Sequence, residues 1–190
     1  MLPANKSHHP YYNKINIPRP KVDVRKYWSE LQKEHKFYVQ VTDDMELWEK
    51  SISTKMRICG LYPDRLRLFW WTPRKVYNRW HIDGTSTDIS EISMNWIISG
   101  SGFIQWSNTV VLDPPDDSYY NAAGAVESGS DDPYDAQCSG DGYLLNTAIT
   151  HRVVNNSSDG RTTVTLSYNR ANLHTFEDSL NRLQLVGLAE

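Results

Sequence analysis

The feature that most constrains this chain is a series of short runs of β-branched and aromatic residues that starts at Leu66. Gly, Asn, Asp, Ser and Pro separate the runs, which is typical of strands joined by tight turns. One such turn, Ser99-Gly100-Ser101-Gly102, predicts a hairpin. Many short strands predict an antiparallel sandwich or barrel. The runs span residues 66–72, 76–83, 91–99, 102–112, 143–148, 152–155 and 161–168.

Two amphipathic helices are predicted before the strand-rich region. Apolar residues recur at helical spacing over Asp23–His35 and over Asp43–Ile58. A strand-like run, Phe37–Val41, lies between them. Residues 1–22 are rich in proline and show little periodicity, so we expect an extended arm that is either laid over the domain or loose. We assign no chemistry to this arm.

A single domain over residues 1–190 is predicted, because a chain of this length buries roughly 70% of its unfolded surface and can enclose a pocket. Segment 113–141 is rich in Asp, Ser, Gly, Ala and Pro and is predicted as a long loop. Two interpretations of it stay open, a lid over a pocket and a disordered insertion. The predicted parts are the arm (1–22), a helical buttress (23–65), a strand-rich core (66–168) and a C-terminal extension (169–190).

The charge balance gives no support for a nucleic-acid partner, although it does not exclude one. The chain has 20 Lys and Arg residues against 23 Asp and Glu residues, with no strongly basic stretch, and so carries no evident nucleic-acid footprint. It has no apolar N-terminal segment of the signal-peptide kind and no run of about 18 apolar residues. We therefore expect a soluble, cytoplasmic protein without a membrane segment. Cys59 and Cys138 lack zinc-site spacing and are expected to be free thiols.

His81 and Asp83 lie at the end of the predicted strand 76–83. Strand alternation puts the imidazole and the carboxylate on one face. His151 directly precedes another apolar run. Two His and one carboxylate on one octahedral face leave three positions open, which is typical of Fe(II) oxygenases because co-substrate and O₂ must both reach the metal. Taken alone, a His-x-Asp pair on a strand is more often a surface pair or a satisfied polar pair.

Arg161 begins a predicted strand, ten residues after His151. A polar face on a strand flanked by core-like runs predicts a wet cavity. Arg161 in that cavity is suited to the distal carboxylate of a diacid through a bidentate pair, and Thr163 adds a hydroxyl donor. The alternative, a surface pair between Arg161 and an acid, stays open. Alternation puts one polar set on the same face: Arg161, Thr163, Thr165 and Ser167.

These residues carry a family resemblance. The passage from Gly140 to Val153, followed by Arg161-Thr162-Thr163, resembles the C-terminal half of 2-oxoglutarate/Fe(II)-dependent dioxygenases, in particular compact prolyl-hydroxylase-like members. In that family a Gly-Asp turn leads into a strand, Arg-Val follows the distal His ligand, and a later Arg-x-Ser/Thr binds 2-oxoglutarate. His81-Ile82-Asp83-Gly84 is similar to the family's proximal His-x-Asp. One departure is Thr163, where Ser is commoner, although its hydroxyl can do the same job.

The resemblance implies a mainly β fold with a double-stranded β-helix (jelly-roll, cupin-like) core over about 66–168 and N-terminal helices that buttress it. It implies Fe(II), 2-oxoglutarate as co-substrate and O₂. The implied catalytic iron ligands are His81, Asp83 and His151, and the implied 2-oxoglutarate site is Arg161 with Thr163. Tyr77, which shares parity with His81, and Asn95 are further candidates for the lining of the 2-oxoglutarate pocket.

The expected activity is hydroxylation of an amino-acid, peptidyl or other small organic substrate, with release of succinate and CO₂. A halogenating relative would be expected to lack the Asp83 carboxylate, so hydroxylation is preferred. Two other classes stay open. One is a cupin-like metal-binding or ligand-binding protein without oxygenase activity, which would have no reason to place Arg161 and Thr163 inside. The other is a structural domain with a relict site. Substrate identity and oligomeric state are not set by the sequence.

Overall fold

A computed structural model describes residues 10–33, 38–41, 46–71, 92–100, 102–106, 134–137, 142–155, 158, 160–168 and 175–190. Within these ranges the protein is mainly β, with antiparallel sheets and few helices. The strands are β1 (Tyr12–Ile15), β2 (Tyr38–Val41), β3 (Arg65–Trp71), β4 (Ile92–Ser99), β5 (Phe103–Trp106), β6 (Tyr134–Gln137), β7 (Gly142–Asn146), β8 (His151–Val154) and β9 (Arg161–Ser167). The helices are α1 (Val24–Lys33), α2 (Lys50–Ile58) and α3 (Phe176–Leu185).

A six-stranded antiparallel sheet in the order β1-β7-β4-β9-β3-β2 forms the larger layer. Its central strands bring Leu66, Leu166 and Met94 into register beside one another, and all three are buried. Met56 of α2 and Leu183 of α3 belong to the same apolar core. Each such side chain stabilises the fold by roughly 1.5–3 kcal/mol. The helices therefore cover this side of the sheet, which we call the outer face.

A three-stranded antiparallel sheet in the order β6-β5-β8 forms the second layer. Ile104 and Trp106 of β5 share a buried cluster with Ile97 of β4 and Leu145 of β7. By strand alternation, Ile97 and Leu145 point away from the outer face. The two sheets therefore pack against each other through this cluster. We call the side of the larger sheet that is turned to the smaller sheet the inner face.

The hairpin predicted at Ser99–Gly102 is wrong. β4 pairs with β7 and β9, whereas β5 pairs with β6 and β8. Gly100 has a φ of 77°, a left-handed conformation that favours glycine and permits the sharp change of direction. The chain thus leaves the larger sheet at Ser99 and enters the smaller one at Phe103. A turn sequence predicts the change of direction, but the partner of each strand depends on distant segments.

The helix predicted over 43–58 begins later, at Lys50. The carbonyl oxygen of Leu47 accepts a hydrogen bond from the amide of Lys21 at 2.8 Å. The indole of Trp48 donates to the carbonyl oxygen of Pro18 at 2.7 Å. These contacts with the N-terminal arm hold residues 46–49 in a non-helical conformation, despite their helical spacing. The helix predicted over 23–35 is confirmed as α1 for its described residues.

Two elements are absent from the predictions. Helix α3 lies in the C-terminal extension, where Thr175 accepts a hydrogen bond from the Asp178 amide at 3.2 Å and caps the first turn. Strand β6 lies inside segment 113–141 and pairs with β5, so the loop prediction is wrong for these four residues. The pairing with β5, rather than local composition, accounts for that strand.

The described part of the N-terminal arm is laid over the domain, which was one of the two predicted alternatives, the other being a loose arm. Tyr12 pairs with Leu145, which adds β1 to the edge of the larger sheet. The indole of Trp96 donates to the carbonyl oxygen of Ile17 at 3.0 Å. Cys59 is a free thiol, as predicted, and it is buried. Cys138 lies outside the described residues. Within the described ranges, every helix is too short or too polar to cross a membrane.

Candidate functional site

The inner face is polar along β9, although the interior of a two-layer β fold is usually apolar. Val164 and Leu166 point into the outer core, as the alternation predicts, so the residues between and beside them point inward. Three of these inward residues are buried and polar or charged: Arg161, Thr163 and Ser167. A buried polar surface between two layers is suited to a polar ligand rather than to apolar packing.

Arg161 is the most deeply buried charged residue among those described, at 1% exposure. Its side chain lies against Gly102, which precedes β5. A Cβ on Gly102 would come within 2.9 Å of Nη1 of Arg161 and within 2.5 Å of the carbonyl oxygen of Val154. Glycine at position 102 therefore makes the space in which the guanidinium lies between the two sheets.

Thr163 stands two residues from Arg161 on the same face and is 3% exposed. Its register neighbours are Phe69 on β3 and Ile97 on β4. The hydroxyl of Thr163 thus lies in a row whose other members are apolar. Together with the guanidinium of Arg161 it supplies adjacent donors that match a carboxylate.

His151 begins β8 on the smaller sheet, opposite Trp106 of β5 in the register. It is 5% exposed, and its ring centroid lies 6.5 Å from that of Trp106. Because Trp106 belongs to the cluster between the sheets, alternation turns His151 to the same side. The structure therefore brings His151 and Arg161 to facing sides of the two layers.

The Nδ1 of His151 lies 2.9 Å from the carbonyl oxygen of Ile149. Because a carbonyl only accepts, Nδ1 carries the proton in this hydrogen bond and the lone pair of the neutral ring is on Nε2. This is the arrangement usual for a metal-binding histidine, in which a backbone carbonyl holds the ring orientation and the tautomer. His151 is thus chemically suited to bind a metal through Nε2.

Aromatic rings from the N-terminal arm pack on Trp106, the register neighbour of His151. Tyr11 and Tyr12 stack on Trp106, each at a centroid distance of 5.8 Å. The indole of Trp106 also donates to the carbonyl oxygen of Asn146 at 3.0 Å. The arm, expected to have no chemistry, therefore supports the wall in which His151 lies.

Asn95 lies on the inner face, at a different level from Arg161. Its register partner is Thr165, four residues along β9 from Arg161. On the other side of Thr165 stands Arg67 of β3. Nε of Arg67, Oδ1 of Asn95 and Oγ of Ser167 are buried and have no hydrogen-bond partner within the described ranges.

Sequence reasoning missed Arg67 and Gly102. The run Arg65-Leu66-Arg67-Leu68 alternates strictly. Since Leu66 and Leu68 are core residues, the alternation could have placed both arginines on the face opposite the core. Gly102 belongs to a predicted turn. Its closeness to Arg161 arises because the chain passes from the larger sheet to the smaller one at this turn, and the sequence around Gly102 does not indicate that.

Three predicted site residues, Tyr77, His81 and Asp83, lie outside the described residues. Among the residues that are described, no three His, Cys, Asp or Glu side chains come together as a metal site. His151 is the predicted ligand that falls in a described range. The described residues therefore include one predicted iron ligand, His151, together with Arg161, Thr163 and Asn95.

The inner-face positions of the larger sheet are strongly cationic in the described part of the chain. Alternation puts no Asp or Glu there. Such a surface attracts anions, and carboxylates above all where guanidinium groups are present. The cationic residues at these positions are Lys14, Arg65, Arg67 and Arg161.

No protein-family model matches the chain, and no curated protein matches its sequence. Similar solved structures include the capsular polysaccharide assembling protein CapF from Staphylococcus aureus, at 11% identity and a TM-score of 0.36, with 54% of this chain and 22% of that chain covered. SnoK, a non-heme alpha ketoglutarate dependent carbocyclase from nogalamycin biosynthesis, is 14% identical with a TM-score of 0.46, over 84% of this chain and 79% of that chain. A Pseudomonas putida prolyl-4-hydroxylase is 12% identical with a TM-score of 0.43, over 77% and 79%.

The chain spans about a quarter of the length of the CapF chains that it matches. All three TM-scores lie below 0.5. Likeness at this level assigns no family, so the case for a function rests on the residues of this chain.

Proposed function

We propose that this protein is a 2-oxoglutarate- and Fe(II)-dependent oxygenase that hydroxylates a small organic or peptidyl substrate. The observation that supports it most is the placement of Arg161 and His151 on facing sides of two packed sheets, both buried. A surface pair for Arg161 would not need such burial. A guanidinium inside the fold offers N–H donors to an anion, and a diacid that also reaches a metal at His151 matches them.

The strand order supports the jelly-roll part of the proposal. In the larger sheet, β9 lies between β3 and β4, and β7 lies on the other side of β4. Strands from the C-terminal part of the chain are thus inserted beside strands from its N-terminal part. Consecutive strands β7, β8 and β9 alternate between the two sheets. Antiparallel strands that pass back and forth between two layers are the architecture of a jelly roll. The helices on the outer face take the role of the buttress.

His151 fits a metal ligand because its Nδ1 is held by the carbonyl oxygen of Ile149 and its Nε2 lone pair is the coordinating one. Under the proposal, His81 and Asp83 complete the ligand set. Two imidazoles and one carboxylate suit Fe(II) and leave positions for co-substrate and O₂. When bound, the iron supplies the oxidative chemistry that no side chain can perform. The Asp83 carboxylate favours hydroxylation over halogenation.

Arg161 and Thr163 fit the distal carboxylate of 2-oxoglutarate. The guanidinium offers parallel N–H groups that match the two carboxylate oxygens, and the Thr163 hydroxyl adds a third donor. The space beside Gly102, which a Cβ would fill, keeps the guanidinium in place. These residues orient the co-substrate, while the apolar neighbours Ile97 and Ile104 exclude water from it.

The test is iron-dependent binding and turnover of 2-oxoglutarate by the purified full-length chain. Under anaerobic conditions, calorimetry should detect 2-oxoglutarate binding in the presence of Fe(II) and much weaker binding without the metal. With O₂ admitted, succinate should form slowly even without the organic substrate. Arg25→Gln, an exposed position on α1, serves as the matched control for Arg161→Gln. A chain that binds Fe(II) but neither binds nor consumes 2-oxoglutarate would favour the cupin-like alternative without oxygenase activity.

A further inference from the structure

A second polar cluster lies on the inner face, separate from Arg161. It consists of Arg67 on β3, Asn95 on β4 and Ser167 on β9, and Thr165 stands between the first two in the register. Nε of Arg67, Oδ1 of Asn95 and Oγ of Ser167 are all buried without a hydrogen-bond partner among the residues that the structure describes. Ser167 is 5% exposed. Buried polar atoms are nearly always paired in folded proteins, so three unpaired ones on adjacent strands point to a ligand.

The guanidinium of Arg67 lies beside the ring of Tyr38. Its Cζ lies 5.6 Å from the centroid of the Tyr38 ring, within the range of a cation–π contact. A cation–π contact takes up no hydrogen-bond donor, so Nε of Arg67 stays available for a planar anion. The aromatic ring thus holds the group without occupying its donors.

The chemistry of the cluster defines the ligand. Arg67 calls for a carboxylate, and the acceptor Oδ1 of Asn95 calls for a donor on the same ligand, next to that carboxylate. An ammonium group would face Arg65 and Arg67 on β3, with no acid at the described inner-face positions. A neutral hydroxyl avoids that repulsion. The cluster therefore matches an α-hydroxy carboxylate better than a free amino acid.

Arg161 does not serve the same anion. Thr165 lies four residue steps along β9 from Arg161, which is about 13 Å. A five-carbon diacid is roughly half that length at bond lengths of about 1.5 Å. A co-substrate anchored at Arg161 thus leaves the Arg67 cluster for a second molecule.

We propose that Arg67, Asn95 and Ser167 bind the carboxylate end of the organic substrate, and that this end is an α-hydroxy carboxylate. That the bound molecule is the substrate rests on the proposed function. That the cluster is an anion site does not, since it follows from the unpaired polar atoms and the cationic face alone.

The probe is L-lactate, with propionate lacking the hydroxyl and lactamide lacking the charge as matched compounds. Ligand-observed NMR on the full-length chain should detect lactate binding, with weaker binding of propionate and of lactamide. Arg67→Gln should weaken lactate binding at least about tenfold, while Arg161→Gln and Arg25→Gln should leave it unchanged. Ser167→Ala should weaken it as well, and gives a second test if Arg67→Gln does not fold, as judged by its melting curve.

Lactate binding that is absent in the wild-type chain, unaffected by Arg67→Gln or lost with Arg161→Gln would overturn the proposal. A parallel titration with 2-oxoglutarate and Mn(II) separates the two proposals. If 2-oxoglutarate fails to bind while lactate behaves as expected, the oxygenase function is wrong and the anion site stands. If 2-oxoglutarate binds and lactate does not, the anion site is wrong and the oxygenase function stands.

Discussion

Arg161 packs directly against Gly102: a Cβ on Gly102 would lie 2.9 Å from Nη1 and 3.2 Å from Cδ of Arg161. Because Gly102 enters the smaller sheet and Arg161 begins a strand of the larger one, this contact joins the two layers. The side chain of Arg161 occupies the volume that any larger residue at position 102 would need. Because Gly102 has no side chain, the guanidinium of Arg161 can lie at this place between the sheets.

Gly102→Ala should displace the guanidinium and weaken 2-oxoglutarate binding at least about tenfold, with a loss of stability of about 1–3 kcal/mol from overpacking. Gly142→Ala is the matched control. Its Cβ would press on the indole of Trp96, away from Arg161, so it should lose stability but retain affinity. Calorimetry and urea denaturation measure the two effects. Equal affinities of folded Gly102→Ala and wild type would show that the contact does not position Arg161.

Arg161→Lys should lose most 2-oxoglutarate affinity, on the order of a hundredfold, because an ammonium cannot reproduce a bidentate pair. Thr163 permits a finer comparison. Thr163→Ser keeps the hydroxyl and should bind nearly as wild type, whereas the isosteric Thr163→Val should bind about five- to tenfold more weakly. Titration of each variant with 2-oxoglutarate and Mn(II) gives the affinities. If Ser and Val variants behave alike, the hydroxyl has no role.

His151→Ala should abolish Fe(II) binding, measured by anaerobic dialysis and elemental analysis. The fold should persist, because the change removes a side chain at the end of a strand rather than in the centre of the outer core. His174→Ala is the control, since His174 has no carboxylate at ligand spacing in the sequence. Unchanged iron content in His151→Ala would remove the proposed metal centre and favour a relict site.

The alternation of β9 is the clearest case in which sequence predicted structure. Val164 and Leu166 lie in the outer core, and Arg161 and Thr163 lie on the other face, as expected from a period of two. Periodicity succeeds here because burial on one face is a local property of the strand. The same reasoning would have found Arg67, had the run Arg65–Leu68 been considered in the same way.

Features that depend on distant partners were not predictable in this way. The turn at Ser99–Gly102 is real, but whether it closes a hairpin or joins two sheets is decided by β7, β8 and β9. Helix α2 begins at Lys50 because the arm binds Leu47 and Trp48. Helix α3 differs, since Thr175 followed by Glu177 and Asp178 is a local start signal that could have been used.

Burial makes the stability of the protein sensitive to alkaline pH. Burial raises the pKa of the Cys59 thiol above its ordinary 9.0 and the pKa of the Tyr168 phenol well above its ordinary 10.0, and the charges of Cys59 and Asp64 raise the latter further. Both groups hold their protons more tightly in the folded than in the unfolded chain. The contribution of these two groups to the free energy of unfolding should therefore be constant below about pH 9.0 and fall as pH rises above it, towards the raised folded-state pKa values.

Tyr168→Phe should remove the part of this fall that starts near pH 10.0, at the cost of the 3.2 Å contact from the Tyr168 hydroxyl to the sulfur of Met94. Urea unfolding from neutral to alkaline pH measures the slope. Tyr62→Phe, at a half-buried position outside this pair, is the control. A slope that Tyr168→Phe leaves unaltered would mean that other groups govern alkaline unfolding.

The arm should contribute to stability through its carbonyl groups. The indoles of Trp48 and Trp96 donate to Pro18 and Ile17 at 2.7 and 3.0 Å. Trp96→Phe removes this donor from the buried carbonyl oxygen of Ile17. The missing hydrogen bond should lower the free energy of unfolding by about 1–3 kcal/mol, in addition to the loss caused by the smaller ring. Trp28→Phe is the control, because Trp28 meets Trp70 edge to face through its ring, at 5.8 Å. Urea denaturation of both variants measures the difference, and an equal loss in the two would mean that ring size rather than the hydrogen bond to the arm accounts for the effect.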